Sequence, residues 1–211
     1  MNVSAAAFRP HDIVRFDPSA LKAQEVPGWW AGQQAAAAFA VIRRADERDK
    51  LLPIGIRGEE RHQRWGGWLD RAAIIERLEP EALVRRIGRL PTERLAMISA
   101  LAALRELTRQ LPPAGLRWGP TGSVGFELAS GRPTAKPSSD LDLIFRADTP
   151  IRKEDARSLL ALTTRFGARC DMLLETPAGA TALIEFADTA GPVVVRTATG
   201  PKLLATPWSK E

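Results

Sequence analysis

Two aspartates one residue apart at the head of an apolar run constrain this chain more than any other feature of its sequence. Asp140 and Asp142 open the run DLDLIF, in which they alternate with Leu141 and Leu143. Because strand side chains alternate between two faces, both carboxylates project from one face while both leucines enter a core. Two ionised carboxylates this close repel each other, and a hard divalent cation such as Mg²⁺ removes that penalty. The pattern predicts a strand over residues 140–146 that presents an acidic pair.

A second apolar segment carries a third acid. In CDMLLE, residues 170–175, Asp171 lies on the opposite strand face from its two apolar neighbours. If the two strands are neighbours in one sheet, Asp171 joins Asp140 and Asp142 as a third metal ligand or acts as a general base. The alternative for each acid by itself is a solvated strand face, because a lone Asp-x-Asp is a weak signal.

A glycine–serine turn precedes the acids. Gly122-Ser123 stands at the predicted start of a short helix that Gly131 can terminate. The free N–H groups and positive dipole end of a helix N-terminus suit phosphate, and glycine allows close backbone approach. The Ser123 hydroxyl can donate to a phosphate oxygen. Arg132 and Lys136, in the following loop, can bind further phosphates, although two solvated loop charges are the alternative. Together with the acids, this order predicts in-line attack at a phosphorus atom.

Composition narrows the class of protein. The 211 residues suffice for one large domain or two small ones, with one cysteine and two histidines. One cysteine excludes an internal disulfide framework, and a structural zinc site is disfavoured, so we expect a reducing cytoplasm. No apolar run reaches the ~18 residues of a membrane helix, and from the composition of the first residues we expect no export signal. The net charge of +5 favours an anionic partner without choosing among nucleic acid, a phosphorylated molecule and an acidic protein.

Two prolines that bracket a short basic segment indicate a domain boundary. We predict an N-terminal domain over residues 1–85 and a C-terminal domain over residues 92–211. The N-terminal sequence predicts strands over residues 37–43 and 51–57, followed by a helix over residues 69–78.

The C-terminal sequence alternates predicted helices and strands. They are, in chain order, helix 92–110, strand 115–119, helix 122–131, strand 140–146, helix 149–166, strand 168–175, helix 177–188 and a strand pair over 192–205. This order predicts an α/β (α+β) fold, with a mixed sheet and flanking helices in the C-terminal domain and a smaller α+β domain before it.

A cluster of arginines marks the N-terminal domain. Arg57, Arg61 and Arg64 lie near Trp65 and could bind the adenine and phosphates of a donor by stacking and ion pairing. A surface charge cluster is the alternative.

The order Gly-Ser, Asp-x-Asp and then a third carboxylate resembles the nucleotidyltransferase superfamily. Sixteen residues separate Ser123 from Asp140, which is longer than in many members. The string GPTGSVGFELASG, residues 119–131, followed by SDLDL, residues 139–143, and by the terminal Pro207-Trp208, narrows the resemblance. It is similar to the malonate decarboxylase holo-[acyl-carrier-protein] synthases, also called phosphoribosyl-dephospho-CoA transferases.

The resemblance implies a definite reaction. The family transfers the phosphoribosyl-dephospho-CoA group from 2′-(5″-triphosphoribosyl)-3′-dephospho-CoA to a serine of the decarboxylase's acyl-carrier subunit, with loss of pyrophosphate. Asp140 and Asp142 match the family's essential acidic pair. Such carriers are usually acidic, which suits a basic enzyme. The implied partners are this carrier and the donor, with neither nucleic acid nor membrane.

Two other functions compete with this one. A related nucleotidyltransferase could move a nucleoside monophosphate from an ordinary NTP to a hydroxyl, and donor preference distinguishes it. A basic nucleic-acid-binding protein would show steep salt dependence and no need for Asp140 or Asp142.

Overall fold

The structure, a computed structural model, describes residues 7–21, 24–31, 38–46, 48–60, 62–111 and 117–209. The chain divides into two compact units, which comprise residues Met1–Glu79 and Pro80–Glu211. Residues 80–85, which the sequence placed in the N-terminal domain, and residues 86–91, between the two predicted domains, belong to the second unit.

Unit 1 is built on a five-stranded antiparallel sheet with the strand order β4-β3-β2-β1-β5. Its elements are β1 (Ile13–Phe16), α1 (Gly28–Ala31), β2 (Ala38–Ile42), β3 (Leu51–Arg57), β4 (Arg64–Asp70) and β5 (Ile74–Leu78), with 3₁₀ turns at Pro18–Leu21 and Arg71–Ala73. Apolar side chains from these strands, including the fully buried Val14, Phe16 and Ile54, form its core. The two strands predicted for this part of the chain are confirmed as β2 and β3.

The helix predicted over residues 69–78 is wrong. The segment is the end of β4, a 3₁₀ turn and all of β5. Asp70 ends the strand because its Oδ1 accepts the N–H of Ala72 at 2.8 Å and caps the turn. Strand β5 then pairs with β1, which buries Ile74 and Leu78. Short apolar runs of this kind satisfy both helical and strand spacing, and pairing with a distant strand decides between them.

Unit 2 carries a six-stranded mixed sheet with the order β11-β10-β9-β8-β7-β6. Its helices are α2 (Pro80–Leu83), α3 (Thr92–Met97), α4 (Ser99–Gln110), α5 (Gly122–Ser130), α6 (Lys153–Thr163) and α7 (Leu183–Asp188), with a 3₁₀ helix at Val84–Arg89. Its strands are β6 (Arg117–Pro120), β7 (Leu141–Arg146), β8 (Cys170–Thr176), β9 (Gly179–Ala182), β10 (Val193–Thr197) and β11 (Gly200–Leu204). The predicted α+β class and mixed sheet are confirmed.

Strands β7 and β8 run parallel, whereas the other pairings described in this sheet are antiparallel. A parallel pair needs a crossover connection, and helix α6 supplies it. Leu141, Leu143 and Phe145 of β7 are buried, as the apolar run predicted. The chain end is tied to this strand, because the indole Nε1 of Trp208 donates to the carbonyl of Ala147 at 2.8 Å.

Three predicted helices of unit 2 are wrong in part. The helix over residues 149–166 is shortened to α6, whose N-cap is Arg152. The helix over residues 92–110 breaks at Ile98, whose side chain is buried and whose backbone is extended (φ −118°, ψ 105°), so that α3 and α4 are separate. The helix over residues 177–188 is shortened to α7. Its first part forms β9, because Pro177 and Ala178 make a tight turn that pairs Thr176 with Gly179.

Among the helices that the described residues form, none has the length and hydropathy needed to cross a bilayer.

Candidate active site

The acidic residues of the two parallel strands meet on one face of the unit 2 sheet. Asp142 of β7 is the register partner of Asp171 of β8, and the flanking pair Leu141 and Cys170 points to the other face. Asp140 precedes β7 by one residue and shares the alternation of Asp142. Because neighbouring strands lie about 4.8 Å apart, the two register partners are side by side. The expectation that these strands are sheet neighbours is confirmed.

The glycine–serine turn packs directly against this acidic face. Gly122 has a left-handed backbone (φ +58°), and a Cβ placed there would lie 1.9 Å from Oδ2 of Asp142. The N–H of Thr121 also donates to the main-chain carbonyl of Asp142 at 2.8 Å. Only glycine satisfies both the backbone conformation and the space. The first turn of α5 and the carboxylate of Asp142 are therefore in contact, although twenty positions separate them in the sequence.

The N-terminus of α5 lacks a side-chain cap from the residue that precedes it. Thr121 occupies the cap position in an extended conformation, but its side chain makes no capping hydrogen bond. Four N–H groups at a helix start have no partner within the helix, and an anion is a suitable acceptor for them. Gly131 ends the helix in a left-handed conformation (φ +71°), as the sequence predicted.

The hydroxyl of Ser123 is buried. The residue is 8% exposed, and its Oγ donates to Oγ of Ser139 at 3.2 Å. Its main-chain carbonyl accepts the hydroxyl of Thr134 at 2.9 Å. The sequence predicted that Ser123 donates its hydroxyl proton to a phosphate, but in this structure the proton is donated to Ser139.

Arg132 and Lys136 lie on the loop between α5 and Asp140, and both are exposed. In the part of the chain that the structure describes, neither side chain forms an ion pair. Their role in phosphate binding stays a prediction.

Glu127 of α5 is a buried carboxylate that pairs with an arginine. The residue is 3% exposed, and both carboxylate oxygens accept hydrogen bonds from Arg94 at 2.8 Å. Oε2 also accepts the N–H of Ala135 at 2.8 Å, and Arg94 donates to the carbonyl of Ala135 at 2.6 Å. Burial opposes ionisation of Glu127, but these donors outweigh it and hold the pKa of its carboxyl below the ordinary value of 4.5.

This bidentate pair connects three segments of unit 2. It ties α3, through Arg94, to α5, through Glu127, and to the loop that leads to Asp140, through Ala135. A sequence signal for it existed, since Glu127 lies beside Leu128 and one helical turn after Val124, both buried. An acid on the buried face of a helix indicates a cationic partner elsewhere in the chain.

Asp171 has a partner that the sequence interpretation missed. Arg169 donates to Oδ1 of Asp171, with nitrogen–oxygen distances of 3.1 and 3.2 Å. Both side chains are substantially exposed, at 73% and 47%, so the pair is weak and a ligand can displace Arg169. Beside them, burial and the charges of Asp171 and Asp140 raise the pKa of the Cys170 thiol to about 11.

The oxygen donors of the acidic face have the chemistry that Mg²⁺ prefers. Among the described residues, no three His, Cys, Asp or Glu side chains form a ready-made metal cluster. Mg²⁺ is usually bound by one or two carboxylates plus substrate phosphates and water, not by an all-protein cage. Asp142 and Asp171 in register, with Asp140 on the same face, fit a cation whose remaining ligands come from a bound substrate.

The predicted donor-binding arginines belong to unit 1. Arg57 of β3 and Arg64 of β4 are register partners, so their like charges lie close together. Arg61 lies outside the described residues. Binding of a donor by these side chains stays a prediction.

Sequence comparisons place the chain in a family. The model of the phosphoribosyl-dephospho-CoA transferase MdcG C-terminal domain matches residues 89–207, and that of the MdcG N-terminal domain matches residues 9–80. The chain belongs to the phosphoribosyl-dephospho-CoA transferase family. The resemblance found in the sequence motifs is thus confirmed, and with it the membership in a class of transferase enzymes.

Relatives that carry this name match the chain over nearly its full length. The phosphoribosyl-dephospho-CoA transferase of Pseudomonas aeruginosa is 40% identical over 203 residues, covering 96% of this chain and 95% of its own. That of Klebsiella pneumoniae is 40% identical over 205 residues, covering 96% and 97%. That of Azotobacter vinelandii is 37% identical over 210 residues, covering 95% and 94%. No solved structure matches the chain.

Proposed function

We propose that this protein transfers the phosphoribosyl-dephospho-CoA group from 2′-(5″-triphosphoribosyl)-3′-dephospho-CoA to a serine of the apo acyl-carrier subunit of malonate decarboxylase. The observation that carries the proposal is the contact of Gly122 with the Asp142 carboxylate, which joins an anion-binding helix start to an acidic sheet face. Family membership supports the identity of the transferred group. We place the reaction in the cytoplasm, because a chain with one cysteine has no disulfide framework.

The residues of unit 2 divide the work of the reaction. The N–H groups at the start of α5 hold the donor's triphosphate, and Arg132 and Lys136 neutralise oxygens farther along it. Asp140 and Asp142 hold Mg²⁺, which supplies charge neutralisation for the donor's phosphates and for the leaving pyrophosphate. The start of α5, the following loop and the acidic face can thus bring three kinds of group to the donor: N–H donors, cations and carboxylates.

The chemical step is a displacement at the phosphorus atom nearest the ribose. The serine oxygen of the carrier forms a bond to this phosphorus, and the bond to the bridging oxygen breaks, so that pyrophosphate leaves. A serine hydroxyl needs an oriented base, and Asp171 is the carboxylate that we assign to accept its proton. In the alternative assignment, Asp171 is a third metal ligand beside Asp142.

In unit 1, Arg57, Arg61 and Arg64 are proposed to contact the dephospho-CoA end of the donor. Arg57 and Arg64 are register partners on β3 and β4, so two guanidinium groups on neighbouring strands could contact one phosphate.

The test is intact-protein mass spectrometry of the apo carrier subunit after incubation with the protein, Mg²⁺ and the triphosphoribosyl donor. We expect a mass gain equal to the phosphoribosyl-dephospho-CoA group, and its loss in Asp140→Asn. Asp148→Asn is the matched control, since Asp148 is an exposed acid beyond the opposite end of β7. No gain with this donor but nucleotidylation with ATP would replace the proposal with an ordinary nucleotidyltransferase. Equal transfer by Asp140→Asn would refute the assignment of the acidic face.

A further inference from the structure

A pair of serine hydroxyls lies where the α5 N-terminus meets the acidic face. Ser123, the second residue of α5, donates through Oγ to Oγ of Ser139, which immediately precedes Asp140. In the sequence, Ser139 is notable only as part of the string SDLDL. Its place in the hydrogen-bond network gives it a separate role.

The Ser139 hydroxyl accepts hydrogen bonds but donates none to the described residues. A hydroxyl has two acceptor lone pairs and one donor proton. Both lone pairs accept, one from the Ser123 hydroxyl at 3.2 Å and the other from the main-chain N–H of Lys136 at 2.9 Å. Within the described ranges, the proton of Ser139 has no acceptor. The two donors therefore orient the hydroxyl, and its proton is available to a ligand.

The surrounding backbone holds this hydroxyl in place. The N–H of Ser139 donates to the carbonyl of Lys136 at 2.9 Å, so the two residues are linked in both directions across one tight turn. The loop before the turn is fixed in its own right by the bond of Thr134 to the Ser123 carbonyl. Ser139 is partly exposed, whereas Ser123 is 8% exposed. Of the two hydroxyls, Ser139 is the one that a ligand can reach.

We propose that Ser139 donates its hydroxyl proton to a phosphate oxygen of the bound donor, and that Ser123 is a positioning residue that acts through it. The identity of the bound donor molecule rests on the proposed function above. The assignment of Ser139 as a hydrogen-bond donor to a ligand does not depend on it. The ligand atom must accept this hydrogen bond, because both lone pairs of Ser139 are occupied.

A phosphate oxygen suits this position better than an atom of a neutral group does. It accepts hydrogen bonds without donating any, and the exposed cations Arg132 and Lys136 lie on the same loop. The start of α5 is adjacent to this position, because Ser123, its second residue, has its Oγ 3.2 Å from Oγ of Ser139. A phosphate bound here would therefore meet neutral donors, the Ser139 hydroxyl and the N–H groups of α5, as well as the charged donors Arg132 and Lys136.

The first test measures binding of magnesium tripolyphosphate to the full chain by calorimetry, which needs no carrier protein. We expect Ser139→Ala to weaken binding by about tenfold to a hundredfold, the range for a hydrogen bond to a charged group. Ser139→Thr keeps the hydroxyl and should recover most of the affinity. Ser138→Ala, at the exposed neighbouring position, should leave it unchanged. Absence of binding by the wild-type chain, or unchanged binding by folded Ser139→Ala, would overturn the inference.

A double-mutant cycle then separates the two serines. Because Ser123 acts through Ser139, Ser123→Ala should cost less than Ser139→Ala, about threefold in affinity, and nothing further when Ser139 is already alanine. If the losses of affinity in the two single variants multiply in the double variant, or if Ser123→Ala loses more affinity than Ser139→Ala, then Ser123 contacts the ligand itself. Either result would refute the proposal that Ser123 acts through Ser139. The transfer assay, run beside it, reports on the proposed function independently: tripolyphosphate binding that depends on Ser139 without group transfer would sink that function and retain this inference.

Discussion

The contact between Gly122 and Asp142 can be tested by adding a single methyl group. In Gly122→Ala, the new Cβ would lie 1.9 Å from Oδ2 of Asp142, whereas real Cβ atoms essentially never come closer than 3.0 Å to such an atom. The carboxylate therefore has to move by roughly 1 Å, and misplacement on this scale can cost about a hundredfold in rate. The side chain of Asp142 can swing away, so the clash itself adds little to the free energy of folding.

Gly131→Ala is the matched control. Gly131 has a similar left-handed backbone (φ +71°), but no atom lies within 4 Å of the position that its new methyl group would take. Both variants incur the left-handed penalty of about 1–2 kcal/mol, which lowers the Tm of a chain of this size by about 2–8 °C. Only Gly122→Ala displaces the carboxylate.

The assay compares initial rates of group transfer, followed by intact mass, with thermal unfolding of the same two variants. We expect equal losses of stability, but a loss of kcat/KM of about a hundredfold in Gly122→Ala and of less than about threefold in Gly131→Ala. Equal rates for the two variants would refute the reasoning, because the backbone penalty alone would then explain the result.

Three further predictions concern other parts of unit 2. Glu127→Gln should lower the free energy of unfolding by about 2 kcal/mol, because Arg94 loses a charged, bidentate acceptor. Because the folded-state pKa of Glu127 is lowered, its ionised form stabilises the fold above pH 4.5, and this contribution disappears as the pH falls through the folded pKa. Urea unfolding at several pH values should therefore show a smaller loss of stability towards acid pH in the variant than in the wild type. Equal losses in the two proteins would contradict the assignment. Trp208→Phe keeps the ring but leaves the Ala147 carbonyl without its donor, at a cost of about 1–2 kcal/mol in chemical denaturation, and an unchanged midpoint would show that this bond contributes nothing. Cys170, with a thiol pKa of about 11, should react with iodoacetamide far more slowly at pH 8 than it does in the unfolded chain, and equal rates would refute the raised pKa.

The sequence was sufficient where local patterns and pairing partners agree. The alternation of Asp140 and Asp142 with leucines predicted that Leu141 and Leu143 enter the core, and both are buried in β7. Gly131 predicted the end of α5 because a left-handed glycine is a local device that needs no distant partner. The meeting of Asp142 with Asp171 followed from parity along each strand, once the strands were taken as neighbours.

It was insufficient where distant residues decide. Residues 74–78 become a strand because β1, sixty positions earlier, offers an edge for pairing. Glu127 is buried because Arg94 reaches it from a separate helix, which helical spacing alone does not reveal. The engagement of Ser123 with Ser139 depends on how a loop of polar residues folds back, and such loops carry no periodic signal.

The parallel pairing of β7 with β8 has a consequence for how the acidic face comes into being. Asp142 and Asp171 are held together by neither a turn nor a hairpin; the whole crossover through α6 has to close before they become neighbours. Closing such a loop costs chain entropy before any pairing energy is gained, so this contact belongs to the slow, non-local part of folding. A nascent chain that has not yet completed β8 thus has the glycine–serine turn and the first two acids but lacks the third. During synthesis, the three carboxylates come together only after β8 has paired with β7.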